Sequence, residues 1–233
     1  MDDGKEVYRT LASVDNYRYT LYCSVHYKGT LSYRSTIPYF YPISSLWLLR
    51  MEKTDNSIIR IAIVGPESTG KSDLAKDLAI HYNTCYVEEY AREYINKLNR
   101  PYTIDDIIAI SKGQMELEDK MAAKANKILF CDTNLVVTKI WAEHAYKQCP
   151  EWISVNLKKR QYALHLLTNI DMPWMPDPQR EHPYLREYLF EKYQRELDNE
   201  KVAYTIISGI GNERISQAIK AIDTLLYPLT GLP

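Results

Sequence analysis

The chain has 233 residues, of which 45% are hydrophobic and 25% are charged, which is typical of a globular protein with one main core. Its formal net charge of −1 offers no broad basic surface, so we expect neither nucleic acid nor a membrane as a partner. The four cysteines show no Cys-x-x-Cys spacing, which disfavours a zinc site or a disulfide framework and favours a reducing, cytoplasmic location.

Residues 1–57 differ in pattern from the rest of the chain. They hold many tyrosines and show no helical period, and their apolar run at 37–49 is too short and too interrupted by proline to span a bilayer. The polar stretch that begins at Met51 resembles a natural protein start. We therefore expect residues 1–57 to be an N-terminal extension, non-native or disordered, with Met51 as the true initiator and 58–233 as the main domain. The alternative is an accessory segment that packs on that domain.

The segment from residue 60 to residue 80 predicts a strand, a glycine-rich loop and a helix in succession. Alternating apolar residues favour a buried strand up to Val64, and Leu74, Ala75, Leu78 and Ala79 share one helix face. Between them lies the G-x-x-x-x-G-K-S pattern of a phosphate-binding P-loop, which such a strand and helix should flank. The predicted ATP-binding residues are Gly65, Pro66, Glu67, Ser68, Thr69, Gly70, Lys71 and Ser72.

The residue types of this loop suit a triphosphate. Backbone N–H groups and the positive end of the following helix attract anions, and Gly65 and Gly70 permit a sharp turn and a close approach. We expect Lys71 to reach the β- and γ-phosphates and the Ser72 hydroxyl to bind Mg²⁺. ATP and Mg²⁺ are therefore the predicted cofactors.

The rest of the chain alternates between strands and helices. Predicted strands cover 84–87, 127–132, 162–168 and 202–208. Predicted helices cover 88–98, 135–146, 151–160 and 184–200; one further helix begins near residue 103, and the last helix ends near residue 226. This alternation predicts an α/β fold, a P-loop kinase-like three-layer sandwich with a five-stranded parallel sheet and helices on both faces. Ligands of such sheets bind at the carboxyl ends of the strands.

Charged residues follow two of these strands. Asp132 ends the third strand, where a P-loop enzyme holds Mg²⁺, although Asp132 or Thr133 would also suit the N-cap of the next helix. Glu89 and Arg92 share a helix face after the second strand. They would suit a hydroxylated acceptor, with Glu89 as the proton acceptor, and they would equally suit an exposed ion pair. We expect Gln114 to lie at the surface.

Residues 170–183 contain four prolines and are predicted to form a lid, called the lid segment below. In it Arg180 is the candidate arginine finger over the transferred phosphate, Trp174 offers a flat face to a cationic ring, and Asp177 suits a ribose hydroxyl. The alternative is a rigid surface loop with its tryptophan in the core.

These motifs together resemble a known family. The P-loop, the run Glu89-Tyr-Ala-Arg-Glu-Tyr94, the pair Asp132-Thr133, and Pro173-Trp-Met-Pro-Asp177 with Arg180 are similar to the kinase domain of NadR-type ribosylnicotinamide kinases, over residues 58–226. The resemblance implies ATP-dependent phosphorylation of the 5′-hydroxyl of nicotinamide riboside to nicotinamide mononucleotide, in NAD salvage. It also implies that Trp174 stacks on the pyridinium ring.

Two departures from the family pattern matter. Asn134 stands where some members carry Asp, so the catalytic base remains either Glu89 or Asp132. Residues 1–57 lack the H-x-G-H signature of the nucleotidyltransferase domain that many members carry, so we expect the chain to make the mononucleotide without adenylating it. The alternatives are another nucleoside or small-molecule P-loop kinase and a nucleotide-dependent ATPase regulator.

Overall fold

The computed structural model describes residues 11–15, 18–22 and 58–230. The chain divides into two units, Met1–Lys53 and Thr54–Pro233. In the first unit, strands β1 (Leu11–Asp15) and β2 (Arg18–Tyr22) pair in antiparallel register. The expected start at Met51 and most of the expected extension over 1–57 lie outside the described residues, so both stay predictions.

The second unit contains one parallel sheet of five strands. They are β3 (Ile59–Val64), β4 (Tyr86–Val87), β5 (Ile128–Asp132), β6 (Leu164–Thr168) and β7 (Tyr204–Ile207). The strand order is β4-β5-β3-β6-β7, and all neighbours are parallel. The sheet confirms the predicted fold class and puts β3, with its P-loop, at the centre.

Seven helices are described in this unit. They are α1 (Lys71–His81), α2 (Tyr90–Lys97), α3 (Ile104–Ala122), α4 (Leu135–Tyr146), α5 (Glu151–Lys159), α6 (Arg186–Asn199) and α7 (Asn212–Thr230). Within the described ranges, no helix is both long and apolar enough to cross a membrane.

The two faces of the sheet carry separate cores because successive side chains of a strand point to opposite faces. Ile61 and Ile63 of β3 pack with residues of α1 and α7. Ala62 and Val64 of the same strand pack with residues of α3, α4, α5 and α6. Helices therefore cover both faces, as a buried parallel sheet requires.

Two local predictions are wrong in detail. The strand expected over 84–87 covers only Tyr86–Val87, because Thr84 contacts β5 through its side chain, which donates to the Ile128 carbonyl at 2.6 Å. In the helix predicted over 184–200, the sequence pattern favours Leu185, Tyr188 and Leu189 as the core-facing residues. Leu189 is buried as expected, but Leu185 and Tyr188 are 38% and 45% exposed. The buried stripe of α6 instead follows Leu189, Tyr193 and Leu197, since that helix begins only at Arg186.

Candidate active site

The P-loop adopts a conformation that its glycines make possible. Gly65 has φ +141°, and a Cβ there would lie 2.5 Å from the Thr168 hydroxyl oxygen of the neighbouring strand. Gly70 has φ +71° and is the N-cap of α1, which begins at Lys71. Both positions favour glycine, for close approach and for a left-handed backbone. The loop therefore presents the N-terminus of α1 to a ligand.

Lys71 is partly buried at the centre of this loop. Its Nζ atom donates to the Pro66 carbonyl at 2.7 Å. Burial lowers the pKa of Lys71, and the carboxylates of Glu89, Asp132 and Glu67 oppose that shift in this order. The ammonium group thus lies among carboxylates from the P-loop, β5 and the start of α2.

Asp132 lies at the carboxyl end of β5 and is only 2% exposed. Its Oδ1 atom is buried and has no hydrogen-bond partner among the described residues. Burial and then the charge of Glu89 raise the pKa of Asp132 to about 6. An unpartnered buried carboxylate oxygen beside another carboxylate is a suitable ligand for a cation.

The next helix is capped by a different residue. Asn134 is the N-cap of α4, and its side chain accepts from the Val136 N–H at 3.0 Å. The sequence left Asp132 or Thr133 as possible caps, and the structure assigns this position to Asn134 instead. Thr133 has φ +69°, an unusual value for a β-branched residue, at the point where the chain leaves β5.

Glu89 and Arg92 do not form the ion pair that their spacing allowed. Arg92 Nη1 lies 3.0 Å from Asp177 Oδ2 of the lid segment. Glu89 is the N-cap of α2, but its side chain makes no cap hydrogen bond in the described structure. Its carboxylate is therefore available to a ligand, and the Arg92–Asp177 pair joins α2 to the lid segment.

The lid segment is attached to the P-loop by two side chains. Glu67 Oε2 accepts from the backbone N–H groups of Glu181 and His182, at 3.1 and 3.2 Å. Ser68 Oγ accepts from the Met175 N–H at 2.9 Å. Consecutive backbone N–H groups commonly bind an anion, and here Glu67 supplies it. Two variable positions of the P-loop motif, Glu67 and Ser68, thus hold the lid segment.

A cavity of about 800 Å³ joins these parts. The residues that line it include the whole P-loop motif 65–72, Glu89, Arg92, Asp132, Asp177 and Arg180. The lining also includes apolar and aromatic side chains, those of Tyr102, Leu117, Val137, Ile140, Trp141, Leu189 and Tyr193. The structure therefore brings together every predicted site residue except Trp174.

Trp174 and Arg180 differ in their relation to the cavity. Arg180 is part of the cavity wall and donates to the Met175 carbonyl at 2.5 Å. Trp174 is partly exposed and lies outside the wall, between Pro173 and Met175, which both contact Ser68. The stacking role of Trp174 stays a prediction.

Residues 60–214 match the model of a protein family described as an AAA domain, over more than half of the chain. The chain belongs to this AAA domain family. Over 123 residues it is 29% identical to the trifunctional NAD biosynthesis/regulator protein NadR of Salmonella typhimurium. That alignment covers 50% of this chain and 30% of the relative, so the chain spans only a minor part of the relative's length.

Two solved structures of NadR resemble this AAA domain. The NadR complex with NAD and AMP-PNP has a TM-score of 0.60 and 25% identity, covering 76% of this chain and 50% of that one. The complex with NR has a TM-score of 0.63 and 21% identity, covering 81% and 59%. These likenesses confirm the P-loop kinase-like fold and the resemblance to the NadR kinase domain.

Gln114 is a residue of the AAA domain that sequence reasoning misplaced. It was expected at the surface, but it is 2% exposed. Its Oε1 atom accepts from the Tyr90 N–H at 2.8 Å, and its Nε2 atom lies 3.5 Å from the Asp132 carbonyl oxygen. Because both partners are backbone groups from other elements, the pattern of α3 alone carries no signal of the contact.

Two arginines that no sequence motif singles out bind the P-loop of the AAA domain. Arg214 is 4% exposed and donates to the Thr69 and Gly209 carbonyls, both at 2.8 Å. Arg186 donates to the Ser68 carbonyl at 3.3 Å. Both arginines therefore bind backbone carbonyl groups of the P-loop, at Thr69 and Ser68, and stabilise its conformation.

Proposed function

We propose that the chain is an ATP-dependent kinase that phosphorylates the 5′-hydroxyl of nicotinamide riboside to give nicotinamide mononucleotide. One observation carries the proposal. A single cavity is lined by the P-loop, by Glu89, whose side chain makes no cap hydrogen bond, and by several aromatic side chains. Its volume suits a nucleoside acceptor beside the terminal phosphates of ATP.

The P-loop supports the nucleotide part of the proposal. Lys71, released from the Pro66 carbonyl, would bind the β- and γ-phosphates. The residues also fit Mg²⁺, because Asp132 Oδ1 is buried without a partner and Ser72 lies in the same cavity. No group of three metal-binding side chains occurs among the described residues, so phosphate oxygens and water would complete the ligand set. Bound Mg²⁺ would neutralise charge on the transferred phosphate.

The surroundings of the two candidate carboxylates, Glu89 and Asp132, distinguish the catalytic base from the cation ligand. Asp132 is buried and suited to binding a cation, whereas Glu89 lines the cavity and its side chain makes no helix-capping hydrogen bond. We therefore assign the base to Glu89, which would accept the 5′-hydroxyl proton as that oxygen bonds to the γ-phosphorus and ADP leaves. Arg180 would stabilise negative charge on the phosphate, and Arg92 with Asp177 would orient the ribose.

The charge of the cavity supports a cationic acceptor. Its wall contains more carboxylates than cations, the latter being Lys71, Arg92 and Arg180. Such a site favours a positively charged pyridinium ring and disfavours an acceptor that already carries a phosphate. The carboxylates are Glu67, Asp73, Glu88, Glu89, Glu93, Asp132, Asp177 and Glu181.

An acceptor panel tests the proposal. Purified full chain with Mg-ATP is given nicotinamide riboside, neutral nucleosides or nucleoside monophosphates, and ADP formation is measured with each acceptor and with none. We expect kcat/KM for nicotinamide riboside to exceed that for any neutral nucleoside by roughly 100-fold, since two or more charge and ring contacts are lost. Better turnover of a neutral or phosphorylated acceptor, or ATP hydrolysis that no riboside stimulates, would overturn it.

A further inference from the structure

The N-terminus of α2 is capped by a residue from another helix. The first N–H groups of a helix have no partner within it, and the N-cap side chain usually supplies one. Glu89 occupies the N-cap position but makes no such bond. The Tyr90 N–H is the first of the helix, which an N-cap side chain does not normally reach, and it donates to Gln114 Oε1 of α3 at 2.8 Å. Gln114 thus binds the backbone of α2 directly after Glu89.

A glycine in α3 lets the start of α2 pack close enough for this hydrogen bond to form. The Tyr90 ring lies against Gly113, where a Cβ atom would be 2.2 Å from the ring. Glycine within a helix is less favourable than alanine, and at this position the close approach of the Tyr90 ring explains it. Gly113 lets the start of α2 approach α3, and the next residue, Gln114, then reaches the Tyr90 N–H.

The same amide group also touches the end of β5. Gln114 Nε2 lies 3.5 Å from the Asp132 carbonyl oxygen, a long contact in a fully buried position. One side chain therefore connects the backbone beside Glu89 with the backbone of Asp132. Both carboxylates act electrostatically on Lys71. Their separation determines how an acceptor hydroxyl and a cation are placed relative to the P-loop.

We propose that Gln114 is a positioning residue, which fixes the start of α2 and thereby the place of the Glu89 carboxylate relative to Asp132. The inference rests on the proposed function, in which Glu89 accepts the hydroxyl proton. Gln114 touches neither nucleotide nor acceptor in this scheme and acts only through Glu89 and Asp132. Misplacing a reacting group by about 1 Å is enough to cost roughly 100-fold in rate.

A double-mutant cycle tests this coupling. Gln114→Met keeps the length of the side chain and removes both polar contacts, and Glu89→Gln removes the proposed base. We expect Gln114→Met to lower kcat for nicotinamide riboside roughly 10- to 100-fold with KM for ATP nearly unchanged. In the Glu89→Gln background the same change should cost less than roughly 3-fold, because residues that act together are not additive.

The control is Ser111→Ala on the same helix. Ser111 is also buried, but its hydroxyl bonds only to the Ile107 carbonyl of α3. Ser111→Ala should change kcat by less than about 2-fold, and by the same factor in the wild-type and the Glu89→Gln backgrounds. An equal loss for Gln114→Met with and without Glu89 would overturn the inference, as would a kcat loss for Ser111→Ala equal to that for Gln114→Met.

Hydrogen exchange at the Tyr90 amide gives a readout that needs no acceptor. Gln114→Met should speed exchange there by roughly 10-fold, whereas Gln114→Glu, which keeps an acceptor oxygen, and Ser111→Ala should preserve protection. If Gln114→Met does not fold, the comparison of Gln114→Glu with wild type still applies. Lost protection in Gln114→Glu, or preserved protection in Gln114→Met, would overturn the inference. Inactivity of wild type with all acceptors would overturn only the proposed function.

Discussion

Burial and three nearby carboxylates have opposite effects on the pKa of Lys71. Its ammonium group is partly buried, and burial lowers its pKa while Glu89, Asp132 and Glu67 stabilise the charge. In the structure it bonds to a carbonyl of its own loop. A triphosphate would offer it stronger, charge-assisted hydrogen bonds. The Pro66 carbonyl therefore holds the Lys71 ammonium group in place, but a phosphate oxygen would bind it more strongly.

Replacing Lys71 with alanine should abolish turnover, by roughly 1000-fold or more, because the developing charge on the phosphate loses a fixed cation. The variant should not unfold at a lower temperature without ligand, since removing a desolvated charge offsets the lost hydrogen bond. Steady-state ADP formation and thermal unfolding measure the two effects. Lys76→Ala, an exposed change on the same helix, should leave both unchanged. Turnover by Lys71→Ala within 10-fold of wild type would contradict this assignment.

Glu118 is fully buried at the opposite end of the sheet from the P-loop, where it accepts from the Tyr162 hydroxyl at 2.8 and 3.0 Å. Burial raises the pKa of Glu118 from 4.5 to about 7. Because the folded state holds this proton more tightly, the unfolded state releases it first as the pH rises. The stability contributed by protonated Glu118 is therefore present below about pH 4.5 and is lost as the pH rises to about 7.

The variant Glu118→Gln keeps an acceptor for Tyr162 and removes this titration. Relative to wild type, its free energy of unfolding should increase by up to about 3 kcal/mol between about pH 5 and about pH 7.5. Urea unfolding at the two pH values measures the difference. Asp119→Asn serves as the control, because pairing with Arg160 lowers the pKa of Asp119 and moves its titration below this window. A pH-independent difference for Glu118→Gln would refute the assignment.

At the scale of single residues, the sequence predicted those side chains whose type and position are tied to a motif. The P-loop residues, Asp132, Glu89 and Arg180 all line one cavity. Contacts between residues far apart in the chain could not be predicted from the sequence, as for Arg92, whose partner Asp177 is 85 residues away. Gln114 was placed wrongly for the same reason, because its partners belong to α2 and β5.

At the scale of elements, the lid segment is the part whose arrangement decides substrate contact. It is held by Glu67 and Ser68 of the P-loop and by Arg92 of α2. These contacts are polar and near the surface, so they stabilise residues 175–182 only modestly, whereas Asp171 at the start of the segment pairs with the buried Arg214. A nucleotide that binds the P-loop would contact the same loop and so can change the position of the segment.

Trp174 provides the test of this movement. It lies outside the cavity wall, so the proposed stacking on a riboside includes a shift of the lid segment. Trp174→Ala should raise KM for nicotinamide riboside roughly 5- to 30-fold through the loss of a cation–π contact, with KM for ATP little changed. Steady-state kinetics in both substrates measure this. Met175→Ala, at a neighbouring exposed position, should have little effect. Unchanged kinetics for Trp174→Ala would remove the stacking role.

At the scale of the whole molecule, the parallel sheet brings distant residues to one edge. The P-loop follows β3, Glu89 follows β4, Asp132 ends β5 and the lid segment follows β6. The alternation of strands and helices was enough to predict this fold and this edge. The faces of α6 were harder, because Leu185 and Tyr188 are apolar yet exposed, and only the observed start of the helix fixes which residues face the core.

The central claim is that one cavity binds Mg-nucleotide on the P-loop and a cationic riboside against it. Calorimetric titration of the full chain, first with AMP-PNP with and without Mg²⁺ and then with nicotinamide riboside, tests it most directly. We predict one Mg²⁺-dependent nucleotide site per chain and one riboside site that binds more tightly once the nucleotide is present. Absence of Mg²⁺-dependent nucleotide binding, or a nucleotide-loaded protein that binds uridine as tightly as nicotinamide riboside, would contradict the account.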